Sequence, residues 1–271
     1  MKSVILNADD YAMDDGVDAA VLALVRKGVV TATSVMVLSP SWPEAGRKLA
    51  DVEVSRGLHL DLTSPFASAE DASLARPLPH LMAAAYLRRL DRGALRRAIG
   101  RQFDRFETVA KAAPDFVDGH QHVHQLPGIR EELIAALKER YGKAASAIAL
   151  RLCLTRRWRG LKATVIAGTG ARAFAALAGG GAHPTNSDFA GVYGFSPRAD
   201  MAALWRRWLG GLVGERPLVM CHVATADAAA ADGADEIRPA RLNEWKWLGS
   251  SAFQDLCAEL GIKRAAWRSR G

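Results

Sequence analysis

The chain has 271 residues, 49% hydrophobic and 24% charged, with a formal net charge of +7. That is enough chain for one large core or two small ones, with an ordinary soluble composition. Cys153, Cys221 and Cys257 form no even set and no CxxC, which excludes a disulfide scaffold and fits a reducing cytoplasm. "SVILNA" is too short for a signal-peptide core, and no apolar run is long and uninterrupted enough to span a bilayer, so no membrane segment is expected. The excess positive charge lies largely on stretches such as "YLRRLDRGALRRAIGRQFDRF", where acids interleave; that reads as a solvated helix face rather than a nucleic-acid groove.

In chain order, "SVILNAD" reads as a strand and "GVDAAVLALVRKG" as a helix with apolar spacing near 3.6, stopped by Gly28. "ATSVMVL" is a second strand, Pro43 opens a short helix through Leu49, and "VSRGLHLDL" is a third strand. Residues 64–90, with Pro65, Pro77 and Pro79, read as loop. "ALRRAIGRQFDRFETVAKAA" is a long amphipathic helix, "DFVDGHQ" a strand, "REELIAALKERYG" a helix and "AIALRLCL" a strand. Residues 155–190, basic and then Gly-rich, break the rhythm and read as a surface excursion. "RPLVMCHVA" is a clear strand, and "SAFQDLCAELG" a helix leading into "IKRAAW". Such alternation predicts an α/β fold in one domain over 1–271: a parallel sheet with helices outside, closed as a (β/α), TIM-like barrel in preference to an open doubly wound sheet.

In a parallel barrel, chemistry collects at the C-terminal ends of strands. The first strand ends in Asp9-Asp10, the third carries His59, "DGHQHVH" supplies Asp118, His120, His122 and His124, and the late strand ends in His222. Two adjacent carboxylates at a buried strand end repel each other and call for a positive partner. Carboxylate plus imidazole is a divalent-metal set, so the expected partner is a metal rather than a lysine, with one aspartate ligating and the other free to act as a base. Each feature also has a plain structural reading: the aspartates as helix caps, His59 as a hydrogen-bonded core histidine, and "HQHVH" as a metal-free loop or as alternating histidines on one strand face. Their joint placement on one rim favours the metal. "VIAGTGARAFAAL" matches GxGxxA, with Asp188 downstream, but no βαβ unit surrounds it, so a packed Gly/Ala-rich helix is expected.

Taken together and in order, "NADDY", "GVVTATSVMV", "GLHLDLT", "DGHQHVHQLP" and "VMCHVA" resemble the YdjC-like carbohydrate deacetylases, which include chitooligosaccharide deacetylases. The resemblance covers most of the chain and implies a distorted (β/α) barrel that hydrolyses the N-acetyl group of an amino sugar. It also implies one divalent ion, magnesium or zinc, on Asp10, His59 and His120. Two departures stand out: Tyr11 where the family usually has Phe, and Val223-Ala224 where it often has Pro-Gly. On this reading Asp9 is the base, His222 the acid able to titrate near neutral pH, and Asp118 or His124 orients a ligand imidazole, with His122 also near substrate. The expected partner is an N-acetylated mono- or oligosaccharide; a homodimer is the expected default, and binding to nucleic acid or membrane is not expected. The alternatives are a metal phosphoesterase on the same rim, a nucleic-acid binder using basic residues 151–172, and an inactive sugar-binding protein.

Overall fold

The structure, a computed structural model, describes residues 2–226 and 235–268. Strand β1 (Lys2–Tyr11) is buried from Val4 onward because it runs through the middle of the sheet. The chain then alternates: α1 (Asp15–Arg26), β2 (Ala32–Val35), α2 (Trp42–Ala50), β3 (Ser55–Leu60), α3 (Pro65–Glu70), α4 (Leu78–Tyr86), α5 (Arg92–Ala110) and β4 (Phe116–Gly119). A 3-10 turn, His120–Gln125, leads to α6 (Ile129–Tyr141) and β5 (Ala149–Leu150). Next come α7 (Leu161–Gly168), α8 (Ala171–Gly180), β6 (Phe189–Ala190), α9 (Met201–Gly211), β7 (Leu218–Cys221), α10 (Arg238–Leu248), α11 (Ser251–Glu259) and β8 (Ile262–Ala265).

All strand pairs are parallel, in the order β5-β4-β3-β2-β1-β7-β6, with β8 beside the first half of β1. The sheet curls until its two edge strands approach each other. There Leu150 bridges Thr185, and the Asn186 side chain accepts from Leu152 N at 2.7 Å and donates to Leu152 O at 2.9 Å, standing in for strand backbone. The result is the (β/α) barrel expected from the alternation, in the distorted form that the family resemblance implies.

The period of two along each strand divides the core. Ile5, Ala32, Phe116, Ala149, Phe189, Leu218 and Met220 form an inner cluster, plugged by Trp267 stacked on Phe116 at 5.4 Å. Val4, Leu6, Leu58, Val117 and Val219 face the helices in the larger outer cluster. Gly57 is needed inside: a Cβ there would lie 2.3 Å from the Phe116 ring. Counting up by twos from the inner residues gives Asn7 and Asp9, His59, Asp118, Arg151 and His222, so the sequence period itself delivers these side chains to the upper end of the barrel.

Residues 64–90 are not the loop expected from their prolines: they carry α3 and α4. Pro65 sits in the first turn behind Ser64, whose Oγ accepts from Phe66 N and Ala67 N, and Pro79 also lies in a first turn. Proline is tolerated there because that N–H has no helical partner. Residues 155–190 are not wholly the surface excursion expected: they contain α7 and α8 but end in buried barrel strand β6. No strand lies between 155 and Gly168, so the GxGxxA match is the helical packing expected and no dinucleotide loop. The sequence pattern leaves α9 and α10 unmarked.

Candidate active site

Asp9 and Asp10 reach the same mouth because β1 does not end regularly. The pairing of β1 with β2 slips between Ala8 and Tyr11, and Asp10 adopts φ 68, a left-handed conformation that strains a non-glycine residue. A regular strand would send neighbouring side chains to opposite faces. Neither aspartate caps a helix: α1 is capped by Asp14, which accepts from Gly16 N at 2.8 Å and Val17 N at 2.9 Å.

Asp10 Oδ1 lies 3.2 Å from His59 Nε2 and 3.1 Å from His120 Nδ1, and the three donor atoms fall within 4.8 Å of one another. His59 is a strand partner of Asp118, and its Nδ1 donates to Asp118 Oδ1 at 2.6 Å, which fixes the ring and aims Nε2 at Asp10. This donor set, one carboxylate oxygen and two oriented imidazoles, fits a divalent ion. Asp9, His59 and Asp118 form a second acidic group, but Arg151 Nη1 already sits 2.7 Å from Asp9 Oδ1 and 2.9 Å from Asp118 Oδ2. A guanidinium holds that place.

The positive partner expected of the acid pair is a metal rather than a lysine, and to this the structure adds arginine. Each aspartate also has its own buried arginine. Arg151 donates from Nη1 to both oxygens of Asp9, at 2.7 and 2.8 Å, and Arg241 Nη2 donates to Asp10 Oδ2 at 2.7 Å. Arg241 is held in turn by Asp235 at 2.8 Å. Asp10 therefore keeps one oxygen on a cation and turns the other toward the two imidazoles. Arg151 was legible as a charge inside "AIALRLCL"; Arg241, on an amphipathic helix, carried no signal.

Burial alone would raise the Asp9 carboxyl, but Arg151, His59 and His222 outweigh it and bring it down to about 2. Asp10 is likewise held well below the ordinary range by Arg241, His120 and His59 against the effect of burial. His222 Nε2 stands 3.9 Å from Asp9 Oδ2, longer than a hydrogen bond, so the two groups face the same space without being tied together. Its Phe195 neighbour packs edge-on at 5.1 Å, and its backbone N donates to Glu244 Oε2 at 3.1 Å. Burial pushes the His222 imidazole down to about 4. The ring is thus neutral at pH 7 in the free protein, lower than the near-neutral titration expected of it.

The remaining histidines separate. β4 ends at Gly119, and Gln121 and His122 take left-handed φ of 51 and 62, so the alternating histidines share no strand face. Only His120 joins Asp10. His124 Nε2 lies 2.9 Å from Arg151 O and packs on Phe174; of the two residues expected to orient a candidate ligand imidazole, it is Asp118 that hydrogen-bonds one, His59. His122 lies 3.5 Å from the Cys153 sulfur, whose thiol burial pushes up to about 12, leaving it an unreactive neighbour. Of the two departures, Tyr11 donates its hydroxyl to Ala45 O at 2.8 Å, and Val223-Ala224 is fully buried, leading to Thr225 N bound to Gly16 O.

The family model for YdjC-like proteins matches residues 3–259. A carbohydrate deacetylase of Geobacillus stearothermophilus is 32% identical over 141 residues, covering 51% of this chain and 56% of that one. A chitooligosaccharide deacetylase of Yersinia pestis (strain Pestoides F) is 29% identical over 147 residues, covering 51% and 57%. The chain thus spans little more than half the length of these relatives. A crystal structure of an Enterococcus faecalis V583 protein, named as a candidate for cellobiose-phosphate cleavage, superposes with a TM-score of 0.74 at 19% identity, covering 98% of this chain and 97% of that one; it shares the fold.

Proposed function

This chain belongs to the YdjC-like protein family, and from that premise we propose that it hydrolyses the N-acetyl group of an amino-sugar carbohydrate. The matched relatives carry deacetylase names. The observation that carries the reading is the convergence of His59 Nε2 and His120 Nδ1 on one oxygen of Asp10, with Asp9 and His222 facing the same space. Asp10, His59 and His120 would hold one divalent ion, magnesium or zinc by donor type, which would polarise the acetyl carbonyl and acidify water.

The chain's own groups handle the protons. Asp9, fixed by Arg151 and by Asn7 Nδ2 at 2.6 Å, receives the proton of the attacking water. His222 is neutral at rest, so it gains a proton during turnover by way of Asp9, 3.9 Å away, and delivers it to the nitrogen as the C–N bond breaks. Acetate and a free amine result. Asp118 holds His59 in the tautomer that leaves Nε2 free to ligate. The free, buried cysteines accord with a reducing cytoplasm, and no helix among the described residues is long and apolar enough to cross a membrane.

A two-metal phosphoesterase is disfavoured because Arg151 holds the second acidic group. The nucleic-acid reading loses two of its cations, since Arg151 and Arg159 are buried in internal ion pairs. An acetate-release assay on N-acetylated mono- and oligosaccharides, with chelator and with metal restored, tests the proposal. Release that stops with chelator and returns with metal supports it; no release from any N-acetylated sugar in the presence of metal overturns it.

A further inference from the structure

The stretch "RRWRGLKATVIAG" has no part in the site. Trp158, Leu161 and Val165 are 79%, 76% and 55% exposed, three large apolar side chains within eight residues. Leu161 and Val165 are spaced i,i+4 on one face of α7, whose buried residue is Ala163. Around them Arg156, Arg157 and Lys162 are also exposed, and not one acid occurs between Glu139 and Asp188.

This face is held firmly. Arg159, inside the basic run, is buried against Asp188 and donates to Phe189 O at 3.0 Å. Gln125 donates to Ile166 O at 2.7 Å and to Thr169 Oγ1 at 2.8 Å, tying α7 to the histidine turn. Lys162 Nζ lies 4.3 Å from the centre of the Phe195 ring, which packs on His222. The uncovered apolar face therefore stands beside the mouth of the site.

We infer that the face of Trp158, Leu161 and Val165, with Arg156, Arg157 and Lys162 around it, docks on an anionic lipid surface. Apolar side chains that enter the headgroup region, beside cations that pair with lipid phosphates, are the chemistry of a peripheral membrane contact. A nucleic acid would use the cations and leave Leu161 and Val165 without a role. A second copy meeting the same face would bring Arg156, Arg157 and Lys162 against their own like charges, with no acid in residues 140–187 to offset them. Docking turns the mouth toward the bilayer, where an amino sugar borne on a lipid would reach it; that consequence rests on the deacetylase reading, whereas the docking itself does not.

Vesicle co-sedimentation tests it. The full chain is expected to pellet with vesicles of mixed phosphatidylcholine and phosphatidylglycerol, to stay in solution with phosphatidylcholine alone, and to release with added salt. Trp158→Ala combined with Leu161→Ser should weaken binding by about tenfold or more, since each truncation removes buried apolar area. Its unchanged melting temperature and unchanged turnover of a soluble substrate would show an intact protein. The inference is overturned by absence of binding to anionic vesicles, or by equal binding of the variant. It is also overturned by light scattering that finds a dimer dissolved by the same two substitutions, or by tighter binding to a DNA duplex than to the vesicles.

Discussion

Asp9 and Asp10 are chain neighbours with different company, and their substitutions should part accordingly. Asp9 touches Arg151 and Asn7 and faces His222, while Asp10 meets both imidazoles. Because Asp14 caps α1, the helix does not depend on Asp9. Asp9→Asn should keep its metal and lose turnover by about 10²–10⁴, the usual worth of a positioned base; metal analysis beside steady-state rates checks this, and an undiminished rate would end the role. His222→Ala should show a loss of the same size with metal content retained, and should slow an ester with a good leaving group far less than an amide. Equal slowing of both substrates would remove the acid assignment. Asp118→Asn is expected to act on the metal instead. It turns the carboxylate acceptor that fixes His59 at 2.6 Å into a neutral amide, whose oxygen accepts more weakly, and weakening such a partner typically lowers metal affinity by up to about 10–100-fold. A metal titration that matches the wild type would show that His59 needs no such support.

Among the elements, those inside a clear apolar run or period are legible and those inside the basic and Gly-rich stretch are not. β1 and β3 carry enough apolar residues to declare themselves, and β5 lies inside the apolar "AIALRLCL", whereas β6 is two residues long and owes its pairing to β7, far along the chain. The prolines of 64–90 read as breakers because a first-turn proline and a loop proline look alike in sequence. The turn after β4 is unreadable for a related reason: left-handed Gln121 and His122 have no glycine to announce them. The seam between β6 and β7 offers a test of such packing. Gly191 has φ +107, and a Cβ there would lie 2.1 Å from Met220 O, which is strand backbone. Gly28 has φ +66 but open space around it. Gly28→Ala should therefore cost about the 1–3 kcal/mol of a strained backbone, and Gly191→Ala more, because Met220 cannot move without disturbing β7. Chemical denaturation of both variants checks the order; equal losses would mean that the seam yields.

At the scale of the whole molecule, the barrel was legible because it arises from β–α alternation, and most of its rim because inward positions recur every second residue. What sequence could not supply was charge balance across long chain separations: Arg151 and Arg241 meet Asp9 and Asp10 only after the sheet has curled. The same closure buries Glu244 of α10 beneath His222, and this makes the stability of the molecule depend on pH. Glu244 accepts from Tyr193 Oη at 2.8 Å and from His222 N. Burial raises its carboxyl from 4.5 to about 8, with Asp9 adding to the rise and Tyr193, His222 N and Arg241 opposing it. The folded state thus holds this proton over a range in which the unfolded chain has lost it. By linkage, the Glu244 contribution to stability declines as pH rises above about 4.5 and levels off once the folded carboxyl ionises near pH 8. Glu244→Gln removes the titration and keeps the shape: its oxygen can accept from His222 N while its amide donates to the Tyr193 hydroxyl. Whatever its absolute melting temperature, the variant should gain on the wild type between pH 5 and pH 8 and hold that gain at pH 9. Melting curves that run parallel over this range would mean that Glu244 is already ionised in the folded barrel, its charge carried by Arg241.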